Sequence, residues 1–121
     1  MQLSFEPPPE NAIVSCSAVE VRLRDARYGA SLIVTRDALI ERWQHPALEQ
    51  LGIADFAPLL LLGPEIVLLG TGSRQRLPPP ALFADFAARG IGFEAMDNAA
   101  ACRTYNLLLS EQRAVAVALM L

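Results

Sequence analysis

Hydrophobic and polar residues alternate in the first half of the chain, which predicts strands with one face exposed to solvent. Val19, Val21 and Leu23 alternate with charged residues, and this period of two is typical of a half-buried strand. Segment 25–29 contains turn-forming residues, and the apolar segment 31–34 then resumes a strand. We therefore expect these two strands to form an antiparallel meander.

The middle of the chain predicts shorter elements. Segment 35–43 alternates like a strand but also contains a potential helix cap, Asp37, and we favour irregular structure that includes a short strand. Asp55 is a good N-cap for a helix over 56–62. Gly63, which precedes a proline, is expected to end that helix.

The second half of the chain predicts a βαβ unit. Segment 66–69 is apolar on both faces, as in a strand that is covered on both sides, and segment 91–94 is a second strand. Between them, segment 81–89 places its large apolar residues on one stripe of a helix. The crossover between the two strands is expected to be right-handed.

The last elements complete the predicted fold. Asp97 or Asn98 caps a helix that runs to residue 110, and segment 114–119 is a final apolar strand. This order of elements predicts an α/β fold, a three-layer single domain with a central mixed β-sheet and helices packed on it.

Length and composition favour one domain without membrane spans. The 121 residues suffice for one core, which we place at 12–121, and we predict that the proline-rich segment 1–11 is a flexible arm. No apolar run approaches the roughly 20 residues that span a bilayer. Because the N-terminus lacks the pattern of a secretory signal, we expect a cytoplasmic protein without membrane insertion.

Charge and residue types exclude several classes of function. The net charge is -3 and the basic residues, all arginine, are scattered, so we expect no nucleic-acid binding. Cys16 and Cys102 are far apart in sequence and lack a CxxC partner, so we expect neither a metal site nor a disulfide. His45 is the single histidine, and we expect it to be solvated. No catalytic set, metal site or cofactor is predicted, which favours a non-enzymatic function.

The turn Gly70-Thr71-Gly72 follows a buried strand and could suggest a nucleotide site. A dinucleotide fingerprint requires a third glycine, but Gln75 stands at that position. Three prolines at 78–80 also delay the next helix, so its N-terminus is not directly behind the turn. We interpret the turn as a tight strand exit and predict that it does not enclose a phosphate.

Polar residues near the carboxyl ends of the parallel strands define a candidate crevice. Glu94 and Arg103 could anchor a ligand or form a buried ion pair, and we favour the ion pair. Asn106 either bonds loop backbone or faces solvent. The candidate residues are Gly70, Thr71, Gly72, Glu94, Arg103, Thr104 and Asn106.

The chain resembles a family of prokaryotic domains of unknown function in three segments: PEIVLLGTG at 64–72, GIGFEAM at 90–96 and AACRTYNLLLSEQRAVAVAL at 100–119. This family, the Mth938-like or domain of unknown function 498 type, has eukaryotic relatives that include a mitochondrial complex I assembly factor and an adipogenesis-associated protein. The resemblance covers about 13–120. It implies a three-layer fold with a central mixed sheet, and it does not supply an enzyme activity.

Two functions follow as hypotheses. The resemblance implies a protein-interaction module that assists the assembly of a membrane complex such as respiratory NADH dehydrogenase, with a protein partner. The alternative is a small-molecule binding protein or enzyme that uses a crevice at Gly70–Gly72. We expect a monomer or a weak homodimer formed through an uncovered strand edge.

Overall fold

The strands form two sheets in the computed structural model, which describes residues 11–24 and 26–121. The smaller sheet is an antiparallel meander of β1 (Ile13–Cys16), β2 (Val21–Leu23) and β3 (Ala26–Tyr28). The larger sheet consists of β4 (Leu32–Thr35), β5 (Leu39–Ile40), β6 (Ile66–Gly70), β7 (Gly92–Met96) and β8 (Val115–Leu119). Its spatial order is β5-β4-β8-β6-β7.

The helices of the described residues connect the strands of the larger sheet. They are α1 (Ala57–Leu60), α2 (Pro80–Ala88) and α3 (Asn98–Ser110), together with short 3-10 helices at Leu48–Gln50 and Ile53–Phe56. Strand β6 pairs in parallel with β7 and β8, whereas β4 pairs antiparallel with β8 and β5. The larger sheet is therefore mixed. Because α2 connects β6 to the parallel β7, the predicted βαβ unit is confirmed.

The larger sheet is covered on both faces because its central strands are apolar on both faces. In β8, Val115, Val117 and Leu119 pack with α3 and the smaller sheet, whereas Ala116 and Ala118 pack with α1 and α2. All five are buried. The protein is therefore a three-layer α/β domain with a central mixed sheet, as the sequence predicts.

The first half of the chain differs from the sequence prediction in how its strands pair. The predicted turn at 25–29 contains β3, which pairs with β2. Segment 31–34 does not join this meander, because β4 lies against β8 in the larger sheet. The reason is burial: residues 32–34 are fully buried, which requires a strand that is covered on both faces.

The predictions for the middle of the chain are confirmed in part. Strand β5 is the short strand that we expect within 35–43. The helix predicted over 56–62 is shorter, because α1 ends at Leu60, and Gly63 follows with a φ of 64°. Asp55 does not cap this helix. Its carboxylate instead accepts a hydrogen bond from Gly52 N at 2.9 Å and closes the preceding 3-10 turn.

Of the arm predicted at 1–11, only Asn11 lies within the described residues, and the prediction for 1–10 falls outside them. Asn11 is attached to the domain. Its side-chain amide donates to the carbonyl oxygens of Thr35 at 2.9 Å and Ala38 at 3.2 Å. The hydroxyl of the buried Tyr105 donates to Asn11 O at 2.9 Å. These bonds hold the chain in place just before β1.

Candidate functional site

The Gly70–Gly72 turn is fastened to the start of α3 by the side chain of Asn98. Asn98 Oδ1 accepts a hydrogen bond from Gly72 N at 3.0 Å, and Asn98 N donates to Gly72 O at 2.8 Å. The side-chain nitrogen donates to Ser17 O at 3.1 Å and to Met120 O at 3.0 Å. One buried amide therefore joins four separate segments of the chain, and we call this arrangement the Asn98 junction.

Glycine at position 70 allows the Asn98 junction to close. A Cβ atom on Gly70 would lie 2.6 Å from Leu119 Cδ2 and would also overlap Asn98 Oδ1. Gly72 is needed for a different reason, because its φ of 99° is a conformation that other residues rarely adopt. Gly70 thus satisfies a steric requirement, and Gly72 satisfies a requirement of backbone conformation.

Thr71 is buried and uses its polar groups within the protein. Its backbone N donates to Met96 O at 2.9 Å, and its hydroxyl donates to Arg74 O at 2.7 Å. The same hydroxyl oxygen accepts a hydrogen bond from Arg76 N at 3.1 Å. Because the donors of Thr71 and Gly72 already have partners, the turn offers them to no phosphate, in agreement with the interpretation of a tight strand exit.

The start of α3 resolves the alternative that the sequence leaves open. Asp97 is the N-cap, since its carboxylate accepts a hydrogen bond from Ala100 N at 2.8 Å. Asn98 is the first residue of the helix and serves the junction instead. The sequence offered either residue as the cap, and the role of Asn98 in the junction was missed. The only signal was an amide side chain beside a residue that already suffices as a cap.

Glu94 and Thr104 lie away from the Asn98 junction, in a groove between α3 and the outer strand β7. This groove, the β7–α3 groove, has a volume of about 650 Å³. Its remaining lining is mostly apolar and consists of Ile66, Leu68, Gly92, Phe93, Met96 and Leu108. The hydroxyl of Thr104 donates to Met96 Sδ at 3.6 Å. The candidate residues therefore do not form one crevice.

The predicted buried ion pair between Glu94 and Arg103 is wrong. Both side chains belong to exposed residues, and no ion pair joins them within the described part of the chain. The physical reason is position: β7 is the edge of the sheet, so a side chain there and the outer face of α3 both remain in water. The side chain of Glu94 therefore lies exposed at the lining of the groove.

Asn106 bonds backbone, which is one of the two alternatives that the sequence leaves open. Its Oδ1 accepts a hydrogen bond from Ile13 N at 2.9 Å, and its Nδ2 donates to Ile13 O at 2.7 Å. Ile13 is the first residue of β1. Asn106 therefore attaches the smaller sheet to α3 and does not face a ligand.

His45 is half-buried and bonded, so the prediction of a solvated side chain is wrong. Its Nδ1 is 2.8 Å from Pro46 O, and its Nε2 is 2.9 Å from Ser31 Oγ. The hydroxyl oxygen of Ser31 also accepts a hydrogen bond from Leu121 N at 3.0 Å. The imidazole lies against Trp43, with ring centroids 4.5 Å apart. Ser31 thus connects His45 to the chain that follows β8.

The described residues contain no group of three or more His, Cys, Asp or Glu side chains that could hold a metal ion. In the same residues, no helix is both long and apolar enough to cross a bilayer.

The family model for proteins of unknown function DUF498/DUF598 matches residues 13–120. The chain belongs to this family. Its fold is similar to that of a Xanthomonas campestris protein, with 41% identity, a TM-score of 0.83, and coverage of 99% of this chain and 92% of that one. It is also similar to a Mth938-like domain of Bordetella pertussis, with 26% identity, a TM-score of 0.78, and coverage of 99% and 92%. These findings confirm the resemblance.

Three curated relatives share a name that describes a function. NADH dehydrogenase [ubiquinone] 1 alpha subcomplex assembly factor 3 of Xenopus tropicalis is 31% identical over 83 residues, which are 67% of this chain and 45% of that protein. The chain spans less than half the length of the curated relatives it matches. The family is therefore related to assembly factors through this domain.

Proposed function

We propose that this chain is a protein-interaction module that assists the assembly of a membrane complex, such as a respiratory NADH dehydrogenase. The observation that carries the proposal is the match to a relative named as an assembly factor of that enzyme, over 67% of this chain. The chain shares with that relative a domain, so the shared activity would be one that a single small domain can perform. Binding another protein is such an activity.

The outer edge of β7 is the surface that we assign to the partner. Gly92 N donates to Glu65 O and Met96 O accepts from Thr71 N, so the even-numbered residues of β7 direct their backbone groups towards β6. Backbone groups alternate along a strand, and those of Phe93 and Ala95 therefore point outwards. Ala95 O accepts a hydrogen bond from Gln75 Nε2 at 2.9 Å. In the described part of the chain, the outward groups of Phe93 and the N–H of Ala95 have no hydrogen-bond partner. Because Ala95 is buried, a partner strand would reach its N–H by displacing Gln75.

The β7–α3 groove lies beside this edge and indicates the chemistry of the partner. An extended segment that pairs with β7 would place alternate side chains over the apolar lining of the groove. The carboxylate of Glu94, exposed and without an ion pair in the described residues, would face that segment. We therefore expect an extended, apolar partner segment that carries an arginine or lysine opposite Glu94.

The proposal is tested by affinity purification of the tagged chain from its native host in mild detergent, followed by mass spectrometry. We expect enrichment of subunits of one membrane complex, with respiratory NADH dehydrogenase examined first. Ala95→Pro removes an outward N–H without breaking a bond to β6, and Glu94→Arg reverses the charge at the groove. Both variants should reduce the enrichment.

Glu111→Arg is the matched control, because it makes the same charge change at an exposed position beyond the C-terminal end of α3. It should leave the enrichment unchanged. Circular dichroism of each variant checks that the fold persists. If no subunit of a membrane complex is enriched over a tag-only control, the assembly role is wrong. If enrichment survives both edge variants in folded form, the assigned surface is wrong.

A further inference from the structure

The two cysteines, which are 86 positions apart in sequence, are neighbours in the folded protein. Cys16 ends β1 and is half-buried, whereas Cys102 lies on α3 and is buried. Cys16 Sγ is 3.5 Å from Asn98 O, and Asn98 lies one helical turn before Cys102. Cys102 belongs to the buried apolar cluster between α3 and the smaller sheet, and Cys16 packs against the same cluster. Topology therefore creates a thiol pair that the sequence spacing conceals.

The surroundings give the two thiols different reactivities. A hydrogen bond from Cys102 lowers the pKa of Cys16, against the opposing effects of burial and of the charge of Asp97. The same hydrogen bond, burial and the adjacent Cys16 sulfur raise the pKa of Cys102. The thiolate is the reactive form of cysteine, so Cys16 is the nucleophile of the pair and is also the more accessible of the two.

We propose that Cys16 and Cys102 form a reversible thiol–disulfide site that is oxidised by a small-molecule disulfide. In the first step, the Cys16 thiolate attacks one sulfur of the oxidant, an S–S bond forms, and the other half of the oxidant leaves as a thiolate. In the second step, Cys102 loses its proton to solvent and attacks Cys16 Sγ, which displaces the second thiolate. The protein loses two protons and two electrons, and the oxidant becomes two thiols.

The first step removes part of the barrier to the second. Once Cys16 is in a mixed disulfide, it no longer acts as a thiolate that accepts a hydrogen bond from Cys102, and it no longer carries a negative charge. Two of the three causes that raise the pKa of Cys102 are then absent, and only burial remains. Cys102 thus becomes able to act as the resolving thiol after Cys16 has reacted.

The disulfide would cross-link the smaller sheet to α3 beside the Asn98 junction. Ser17, which directly follows Cys16, supplies a carbonyl to Asn98 Nδ2, and Asn98 O contacts the Cys16 thiol. A change in the redox state of the pair would therefore affect the packing where β1, the Gly70–Gly72 turn and α3 meet. This proposal rests on the two cysteines alone and is independent of the proposed function.

The experiment incubates the native full chain with mixtures of reduced and oxidised glutathione and quenches by acid. Intact mass spectrometry and thiol labelling under denaturing conditions then identify the products. For the wild type, we expect loss of two hydrogens and of both reactive thiols, fully reversed by dithiothreitol. Cys102→Ala should instead accumulate a mixed disulfide between Cys16 and glutathione, while Cys16→Ser should leave Cys102 unmodified.

Three results would overturn the proposal. One is a folded wild type that retains both thiols in the most oxidising mixture. Another is a wild type that stops at a glutathione adduct on Cys16. A third is a Cys16→Ser variant in which Cys102 reacts as fast as Cys16 does in the wild type. Circular dichroism confirms folding of each variant, and Cys102→Ser replaces Cys102→Ala if the latter unfolds.

Discussion

The side chain of Asn98 is 1% exposed, yet its oxygen and both of its amide hydrogens have partners. Asn98→Ala would leave Gly72 N, Ser17 O and Met120 O without those partners. Leaving buried polar groups unpaired costs free energy, and we expect a loss of about 2–4 kcal/mol in the free energy of unfolding. Urea denaturation measures this loss.

Gln50→Ala, at an exposed position in a 3-10 helix, is the control and should change stability little. Asn98→Asp adds a sharper comparison. Its carboxylate would place a second oxygen against Ser17 O and Met120 O, so the variant should be less stable than Asn98→Ala at neutral pH and recover as the carboxyl protonates. Equal stability of Asn98→Ala and wild type would contradict the role of the junction.

Substitutions in the Gly70–Gly72 turn separate steric from backbone requirements. Gly70→Val and Gly72→Val should each destabilise by about 1–3 kcal/mol or more, the first through contact with Leu119 and Asn98, the second through its positive φ. The sequence alone suggests that Thr71→Ala is mild. The structure instead predicts a cost of about 1–2 kcal/mol, because Arg76 N and Arg74 O lose the hydroxyl.

Urea denaturation of the three variants, beside Gly29→Ala as a control with open space around the glycine, tests these expectations. An unchanged stability of Gly72→Val would contradict the backbone argument.

The roles of individual residues were predictable where the neighbouring sequence indicates them. The meaning of Gly70 and Gly72 follows from an apolar strand that stops at two glycines. The role of Asn98 does not follow, because three of its partners come from segments that only the folded topology brings near. The pairing of Cys16 with Cys102 is hidden for the same reason.

The connection of β1 to α3 depends on Asn106, which bonds both backbone groups of Ile13. Asn106→Ala should release the start of β1, lower stability by about 1–3 kcal/mol, and increase hydrogen exchange in β1 more than in β6. Leu107→Ala, on the exposed face of the same helix, is the control. Unchanged protection of the Ile13 amide would contradict this tether.

The starts of β6 and β8 are joined by Glu65. Its carboxylate accepts hydrogen bonds from Arg113 Nε at 2.9 Å and Ala114 N at 3.0 Å, and these bonds lower the pKa of Glu65 from 4.5. A folded-state pKa below the unfolded value stabilises the protein above the unfolded pKa, and this contribution is lost as the pH falls through the folded pKa.

Glu65→Gln should therefore be less stable than wild type at neutral pH, by a small amount because the group is exposed to solvent. The difference should shrink as the pH falls below 4.5. Thermal unfolding across this pH range measures it, with Glu111→Gln as an exposed control. A difference that grows on acidification would refute the assignment.

Secondary structure was predictable where a pattern of apolar residues extends over at least five residues. Strands β6 and β8 are unbroken apolar runs, and helices α2 and α3 carry large apolar residues on one face. Strand β3 was missed because three residues beside turn formers hold too little pattern to identify a strand. Its pairing with β2 is decided by contacts across the meander.

The domain should unfold as one unit, because the same strands hold the apolar clusters on both faces of the larger sheet. Trp43, the single tryptophan, is buried against Phe56 and reports on the α2 side. Phe86→Ala should lower stability by about 3–5 kcal/mol. Tryptophan fluorescence and far-UV circular dichroism should still give coincident urea transitions. Loss of the fluorescence signal before the dichroism signal would contradict a single cooperative unit.

The larger sheet also locates the strand edge that the sequence could not. Its outer strands are β5, which has two residues, and β7, which has five. Of these two strands, β7 is the one that is long enough to pair with a further strand over several residues. Oligomeric state stays a prediction, and any weak homodimer formed by strand addition would compete with a partner for this edge.

Strand β8 follows every other strand in the chain but lies at the centre of the larger sheet, between β4 and β6. During synthesis, β4 and β6 emerge long before the strand that separates them. Until then, β4 and β6 are apolar strands that each have one edge without a partner. These edges could wrongly pair with each other or with another nascent chain. The order of translation therefore opposes early folding of this sheet, and a chaperone that shields β4 and β6 until β8 arrives would increase the yield of folded protein.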